Sequence, residues 1–251
     1  MIKVLLSGCF GRMGRAITEA ARESDKIEII AGVDIATGES SFPVYKDIFD
    51  NVEKPDVIID FSHHTAILPV LKYALLNNVP TVIATTGHDE HEMGLIKEAA
   101  KTIPVFFSRN MSIGVNLLIA LSRKASEFLG LDYDVEIIEK HHRNKLDAPS
   151  GTALMIADAI AETREKTSYV YDRHERREKR SNEEIGIHAV RGGSIIGEHE
   201  VIFAGKDEII TISHSAASRS LFAAGAIKAA EFIIGKEPEL YSMDDMLSEI
   251  I

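Results

Sequence analysis

A single cysteine, Cys9, is the only thiol in this chain. It excludes an internal disulfide and fits a reducing compartment, so the cytoplasm is the expected location. Long apolar runs are also missing. "DVIIDF" and "VPTVIA" fall far short of the roughly 20 residues that a membrane-spanning helix needs, and no membrane role is expected. The opening "MIKVLLSGCFGRMGR" has a lysine and a short apolar run that breaks at Gly8, too brief for an export signal. There is no basic excess: 28 Lys and Arg stand against 39 Asp and Glu, a formal charge of −11. Contacts to phosphate backbones need a basic face, so general nucleic-acid binding is excluded. The one basic run, "RHERREKR" from Arg173 to Arg180, is broken by two glutamates and reads as a solvated loop. Ligand spacing of the H-x-x-x-H or C-x-x-C kind is absent around the histidines, so no metal site is expected. No internal repeat is evident.

What is present is a globular balance, 45% hydrophobic and 27% charged over 251 residues, enough for one large domain or two ordinary ones. In the first hundred residues, "IKVLLSG", "IEIIAGVD", "DVIIDFS", "VPTVIATT" and "IPVFFSRN" are nearly continuous apolar runs rich in Val and Ile, as in strands buried on both faces. Between them, "RMGRAITEAARES", "TAILPVLKYALLNN" and "DEHEMGLIKEAAKT" carry apolar residues at helical spacing. This alternation predicts a parallel sheet covered by helices. Pro69 falls near the start of its helix, where proline is tolerated. After Asn110 the texture changes. "IGVNLLIALSRKASEFLG" predicts a helix ending on Gly130, "YDVEIIEKHH" a strand, and "TALMIADAIAE" a second helix. "IGIHAVRGG", "SIIGEHEVIFAG" and "DEIITISHSA" predict strands with short turns between them, expected to pair antiparallel. The chain closes on an amphipathic helix, "SLFAAGAIKAAEFIIG". The expected fold class is α/β, a Rossmann-type parallel sheet domain followed by an α+β domain with an open mixed or antiparallel sheet.

Directly after the first strand, "GCFGRMG" places Gly8, Gly11 and Gly14 three apart at the opening of a helix. Glycines there permit a tight turn and a close approach of backbone N–H groups to a pyrophosphate, with the helix N-terminus facing the negative charge. Phe10 takes the place of the middle glycine of the usual G-x-G-x-x-G, and Arg12 and Arg15 could add cations. Asp34 ends the second strand about twenty residues after the last glycine, where a carboxylate can accept hydrogen bonds from both ribose hydroxyls. It would repel a 2′-phosphate, and Ile35 beside it offers no compensating cation. The expected cofactor is therefore NADH, with NADPH as the second choice. "ATTG" (Ala84, Thr85, Thr86, Gly87) and "SRNM" (Ser108, Arg109, Asn110, Met111) follow the fourth and fifth strands, at the sheet edge where ligands bind.

The stretch "EKHHRNKLDAPSGTA" holds a second cluster. His141 and His142 end a strand and point to opposite faces, which suggests two separate roles. Lys145 lies four residues beyond His141 on an irregular loop. Ser150, Gly151 and Thr152 open a helix whose N–H groups and hydroxyls suit a carboxylate. The cluster is cationic and rich in donors, so an anionic substrate fits it. A serine nucleophile would need a G-x-S-x-G elbow, which is absent.

Together with "GCFGRMGR", "DVIIDFS", "ATTG", "NMSIGVNLL", "RGGSIIGEHEVIFAG" and "HSAASRSLFAAGAIKAA", this stretch resembles the 4-hydroxy-tetrahydrodipicolinate reductase (dihydrodipicolinate reductase) family over essentially the whole chain. The resemblance implies reduction of a cyclic imine dicarboxylate with NADH or NADPH in the diaminopimelate route to lysine, with loss of the 4-hydroxyl as water. It implies hydride delivery to ring C4 and a proton at the neighbouring carbon. His141 would be the proton donor and acceptor and Lys145 a proton donor, an imidazole suiting this because its pKa lies near neutrality. His142, Gly151 and Thr152 would bind the substrate, with Ser150 assisting at a carboxylate. Gly8, Cys9, Phe10, Gly11, Arg12, Met13, Gly14, Asp34, Ala84 to Gly87 and Ser108 to Met111 would contact the cofactor. The resemblance further implies a dinucleotide-binding domain over residues 1–111 and 219–251, a substrate-binding and oligomerisation domain over 112–218, and a homotetramer.

Phe10, Ala84 and Arg109 depart from the family's usual residues, and little chain separates Asp34 from Asp60; these changes bear on the cofactor and leave the histidine loop untouched. An aspartate-semialdehyde dehydrogenase needs a cysteine in the substrate domain, and Cys9 lies in the nucleotide turn. An amino-acid dehydrogenase would have no need of this His-His-Lys loop. A non-catalytic dinucleotide sensor would keep the glycines and lose the proton donors, whereas here both are kept.

Overall fold

The structure, a computed structural model, describes every residue except Glu175, Ile250 and Ile251. The chain divides into two compact units, Met1–Ile113 with the segment from Arg219 onwards, and Gly114–Ser218.

The first unit is built on seven parallel strands: β1 (Ile2–Ser7), β2 (Ile27–Val33), β3 (Val44–Tyr45), β4 (Val57–Asp60), β5 (Thr81–Ile83), β6 (Val105–Phe107) and β12 (Leu240–Tyr241). Their order is β12-β6-β5-β4-β1-β2-β3, so the chain reverses direction between β1 and β4, the switch point at which such sheets bind ligands. The Val- and Ile-rich runs follow from this placement, because successive side chains enter opposite cores. Val4 and Leu6 pack toward α1 (Arg12–Arg22) and α6 (Ser220–Ile233), while Leu5 packs toward α2 (Ile67–Asn77) and α3 (Glu90–Ala99). Pro69 sits in the first turn of α2, where its missing N–H leaves no intrahelical bond unmade. The short β3 and β12, and the terminal helix α7 (Met243–Ser248), carry too few periodic residues to be predicted from sequence.

The second unit covers one face of a five-stranded sheet with α4 (Ile113–Leu129) and α5 (Gly151–Ala161). Gly130, at φ +65°, closes α4 as its sequence predicts. The strands are β7 (Asp134–His141), β8 (Ser168–Val170), β9 (Glu184–Arg191), β10 (Glu198–Ala204) and β11 (Ile209–Ser215), in the order β11-β10-β7-β9-β8. The sheet is mixed, and the expectation that β9, β10 and β11 pair antiparallel in chain order holds for β10 with β11 and is corrected for β9. β10 runs antiparallel to β7 and β11, but β9 is not its neighbour; β9 pairs parallel with β7 and with β8. The short link from Arg191 to Glu198 steps over β7, about two strand spacings or roughly 10 Å, which six extended residues cover easily. The basic run is a loop whose His174, Arg176, Arg177, Glu178 and Lys179 are exposed, in line with its solvated reading, while its two ends are tied down. Arg180 ion-pairs with Asp134 at 2.8 Å and Glu136 at 3.0 Å, and Arg173 binds the buried Glu184, so both ends of the run are anchored to the sheet; its Glu175 lies outside the described residues. No helix among the described residues is long and apolar enough to cross a membrane.

Candidate active site and cofactor turn

In the first unit, the turn between β1 and α1 is shaped by contacts that exclude side chains. Gly8 has φ +79°, and a Cβ on it would lie 2.7 Å from the carbonyl oxygen of Phe61. A Cβ on Gly14 would lie 2.2 Å from the carbonyl oxygen of Gly8, so α1 can start this close to the turn only with glycine there. Gly11 is the N-cap of α1 and meets only the Gly8 oxygen, at 3.2 Å. Phe10 needs no glycine conformation: among described non-glycine residues only Asn78 has positive φ. Its ring packs over Gly38, whose absent side chain makes the room.

Asp34, immediately after β2, accepts hydrogen bonds from Phe10 N–H (2.8 Å) and Ala36 N–H (2.9 Å), so it links the glycine turn to the loop that follows it. These bonds use one lone pair on each oxygen and leave the others for a ligand hydroxyl. A cavity of about 670 Å³ opens here, lined by Gly8, Phe10, Asp34, Lys46, Ser62 and Pro69 among others. A turn with no room for side chains at Gly8 and Gly14, a carboxylate with free lone pairs and a part-apolar cavity fit a dinucleotide. Lys46 was missed in the sequence because it follows β3, twelve residues beyond Asp34. A second cavity of about 390 Å³ is lined by Arg12, Met13, Ala84, Thr86, Arg109, Asn110, Met111 and Arg219. Three guanidinium groups on its wall suit an anion.

The loops after β4, β5 and β6 are stitched together locally. Asp60 is fully buried; it accepts from Ser62 Oγ at 2.6 Å and from Thr85 Oγ1 at 2.7 Å. Gly87, at φ +88°, ends the "ATTG" turn. Ser108 Oγ donates to the Asn110 carbonyl at 2.8 Å, which folds "SRNM" back on itself. Cys9 is buried, and that burial, with Asp34 nearby, pushes its thiol up to about 11, so it stays protonated at neutral pH.

In the second unit, β7 alternates strictly, and Val135, Ile137, Glu139 and His141 form its buried face. The first two are ordinary core residues. The next two are ionisable, so the core face of the strand becomes a polar site at its end. Glu139 is fully buried; its carboxylate accepts Arg191 Nη1 at 2.7 Å and Nη2 at 2.6 Å, and Ser150 N–H at 3.0 Å, and it contacts His141 Nδ1 at 2.6 Å. Burial pushes this carboxyl up, but the four hydrogen bonds outweigh it and hold the group below its ordinary value, ionised. Burial lowers His141, while Glu139 opposes that change. Arg191 Nη2 also binds the Asp147 carbonyl at 2.6 Å, which anchors the loop after β7.

Lys145 Nζ lies 2.9 Å from Asp147 Oδ1, and this contact holds the Asp147 carboxyl below its usual range. The Ala148–Pro149 peptide bond is cis. Ser150 is the N-cap of α5 and buried; its Oγ accepts from Ala153 N–H at 3.2 Å and meets His199 Nε2 at 3.1 Å. Ser150 is therefore already engaged, whereas Gly151 is exposed with open space where a side chain would be. Thr152 follows in the first turn of α5, half-buried. His142 Nδ1 is buried with no hydrogen-bond partner among the described residues. His199, from β10, stacks edge-on against His141 with centroids 5.3 Å apart; burial, then the nearby His141, lowers it to about 4. Gly197 lies beside His141, where a Cβ would come within 3.2 Å of Nε2. The structure thus gathers His141, Lys145, Ser150 and Gly151 around Glu139, Arg191 and His199, three residues the sequence reading did not single out. Glu139 and His199 were findable, since both fall at core parity in alternating strands.

Comparison with known proteins agrees across both units. Residues 2–111 match the family description "Dihydrodipicolinate reductase, N-terminus" and residues 114–247 match "Dihydrodipicolinate reductase, C-terminus". A 4-hydroxy-tetrahydrodipicolinate reductase of Caldanaerobacter subterraneus subsp. tengcongensis is 52% identical over 250 residues, covering 99% of each chain. One from Akkermansia muciniphila is 42% identical over 98% of each. The dipicolinate-bound dihydrodipicolinate reductase of Paenisporosarcina sp. TG-14 superposes with a TM-score of 0.82 at 27% identity, over 96% of this chain and 97% of that one.

Proposed function

This chain belongs to the dihydrodipicolinate reductase family, and on that premise we propose that it reduces 4-hydroxy-tetrahydrodipicolinate to tetrahydrodipicolinate through a proton-transfer site centred on His141. A nicotinamide dinucleotide supplies the hydride when bound. Gly8 to Gly14 with Asp34 hold its adenosine half, and the Arg12, Arg109 and Arg219 wall suits its phosphates. The remaining half of the reaction is the protein's: a proton must reach the carbon next to the hydride acceptor, and the 4-hydroxyl leaves as water. His141 delivers that proton, with Lys145 as a second donor. His142, Gly151 and Thr152 hold the dicarboxylate at the N-terminus of α5, which is open at Gly151. Ser150 acts one step back, by capping α5 and holding its first turn in place.

The observation that carries this reading is the Glu139–His141 contact beside the α5 N-terminus: it puts an imidazole backed by a buried carboxylate next to donors suited to a carboxylate. NADH is the preferred cofactor, because Asp34 keeps lone pairs for ribose hydroxyls and repels a 2′-phosphate. Copies of the chain associate as a homotetramer through the second unit, whose edge strand β11 exposes Ile209 and Ile210, and the enzyme works in the cytoplasm, where a single reduced thiol persists.

The test is the initial rate of NADH and NADPH oxidation with substrate generated in situ from pyruvate and aspartate semialdehyde, beside a His141→Gln variant. Turnover by the wild type with a loss of about 10²- to 10⁴-fold in the variant is expected. Binding of NADH without any turnover would overturn the reading in favour of a sensor.

A further inference from the structure

We infer that Glu139 is the positioning residue of this active site: clamped by Arg191, it fixes the orientation and tautomer of His141 so that Nε2 is the nitrogen that exchanges the proton. The inference rests on the proposed role of His141 and extends it to a residue of the sheet core.

Four observations converge. Glu139 Oε2 lies 2.6 Å from His141 Nδ1, and an ionised carboxylate can only accept a hydrogen bond, so Nδ1 must carry a hydrogen. In neutral imidazole that leaves the lone pair on Nε2; in the imidazolium, Nε2–H is the proton free to leave. Second, the carboxylate cannot turn away. Arg191 grips both oxygens and Ser150 N–H takes Oε1, so every direction of rotation breaks charge-assisted bonds in a buried place. Third, Arg191 reaches on to the Asp147 carbonyl, so the group that holds Glu139 also holds the loop bearing Lys145. Fourth, no side chain crowds Nε2 from Gly197, where a Cβ would come to 3.2 Å.

The charged and titratable groups around His141 come from every packed element: Glu139 on its own strand, Arg191 on β9, His199 on β10 with His214 behind it on β11, and Lys145 and Asp147 on the following loop. Among the groups nearest His141, Glu139 favours the imidazolium, while Lys145 and Arg191 oppose it. Without the carboxylate the cations act alone, so His141 holds its proton less tightly. A donor that must be protonated then fails at lower pH, and the alkaline limb of kcat moves down.

The experiment compares wild type, Glu139→Gln, Glu139→Asp and His141→Gln in the full chain, with kcat and KM measured from pH 5.5 to 9 and folding checked by thermal melts. In Glu139→Gln, kcat should fall about 100-fold with KM within about threefold, and its alkaline limb should move down by about one pH unit. Glu139→Asp should recover part of that limb. A loss in stability alone would leave the limb where it was. Long-range ¹⁵N–¹H correlation of the wild-type histidines, with His141 assigned from His141→Gln, should show the Nδ1–H tautomer, and this readout needs no folded Glu139 variant. A wild-type Nε2–H tautomer overturns the inference, as does a folded Glu139→Gln enzyme with an unmoved limb and kcat within about threefold of wild type. If His141→Gln keeps full turnover, the proposed role of His141 fails first; if it is inactive while Glu139→Gln is unaffected, only the role of Glu139 fails.

Discussion

Asp60 and Thr85 meet at 2.7 Å between the ends of two adjacent parallel strands, with the carboxylate fully buried. Because the other carboxylate oxygen holds Ser62 at 2.6 Å, one side chain ties together two of the loops at the carboxyl edge of the sheet. Its replacement by alanine would take the carboxylate from the Ser62 N–H and from two hydroxyls, whose remaining acceptors are backbone carbonyls at 3.4 Å. Asp60→Ala should lose about 1–3 kcal/mol of stability by urea unfolding, and NADH binding by calorimetry should weaken. Unchanged affinity would show that these loops are held by other means.

The buried His199 gives the protein an acid sensitivity with a defined window. Its folded pKa of about 4 lies below the ordinary value of 6.5, so between these limits the unfolded chain binds more protons than the folded one. Stability from this group is complete above about pH 6.5 and falls as pH drops toward 4, by about 3 kcal/mol at most. Unfolding in urea at pH 7 and pH 4.5 should therefore differ less in His199→Gln than in the wild type. An equal pH slope in both would exclude His199 as a source.

Glycines in the nucleotide turn should not be equivalent. Gly14→Ala drives a Cβ into the Gly8 carbonyl at 2.2 Å and should cost about 1–3 kcal/mol. Gly11→Ala meets the same oxygen at 3.2 Å, a distance that a small shift relieves; thermal melts should place it within about 0.5 kcal/mol of the wild type. Equal losses would mean that the turn is less rigid than its contacts imply.

Cofactor choice should turn on two opposed charges in one cavity. On the proposed role of Asp34, Asp34→Ala removes a negative charge from the cavity while Lys46 remains on its wall, so the ratio of kcat/KM for NADPH over NADH should rise by about tenfold. Lys46→Met should move the ratio the other way. The measurement is the paired initial rates with each cofactor. A ratio that ignores both changes would place the selectivity elsewhere.

Much of this was legible in the residues. Near-continuous Val and Ile runs marked the parallel strands because burial on both faces leaves no polar alternation, and Gly8 and Gly14 marked the turn because the contacts at those two positions admit no side chain. The order of the second sheet was not legible. A short turn between β9 and β10 looks like a hairpin from within, and only the competing pairing of β7 with both strands shows otherwise. Arg191 and Lys46 escaped for a related reason: each acts on a residue far away in sequence, and no local periodicity records that. Glu139 and His199 lay in plain view at core parity, among valines and isoleucines, yet a charged residue in a strand is ordinarily assigned to solvent.

The placement of β7 between β9 and β10 makes catalysis a gauge of strand registry. Glu139 stands opposite His199 and His141 opposite Arg191, so the proposed catalytic set comes from the alignment of three neighbouring strands. A slip of one residue would turn Glu139 and His141 to the far face and bring Lys140 inward. Misaligned molecules could still be compact and rich in strand, yet they would not turn over substrate. The recovery of activity after dilution from denaturant would then count correctly threaded sheets, which circular dichroism alone does not distinguish.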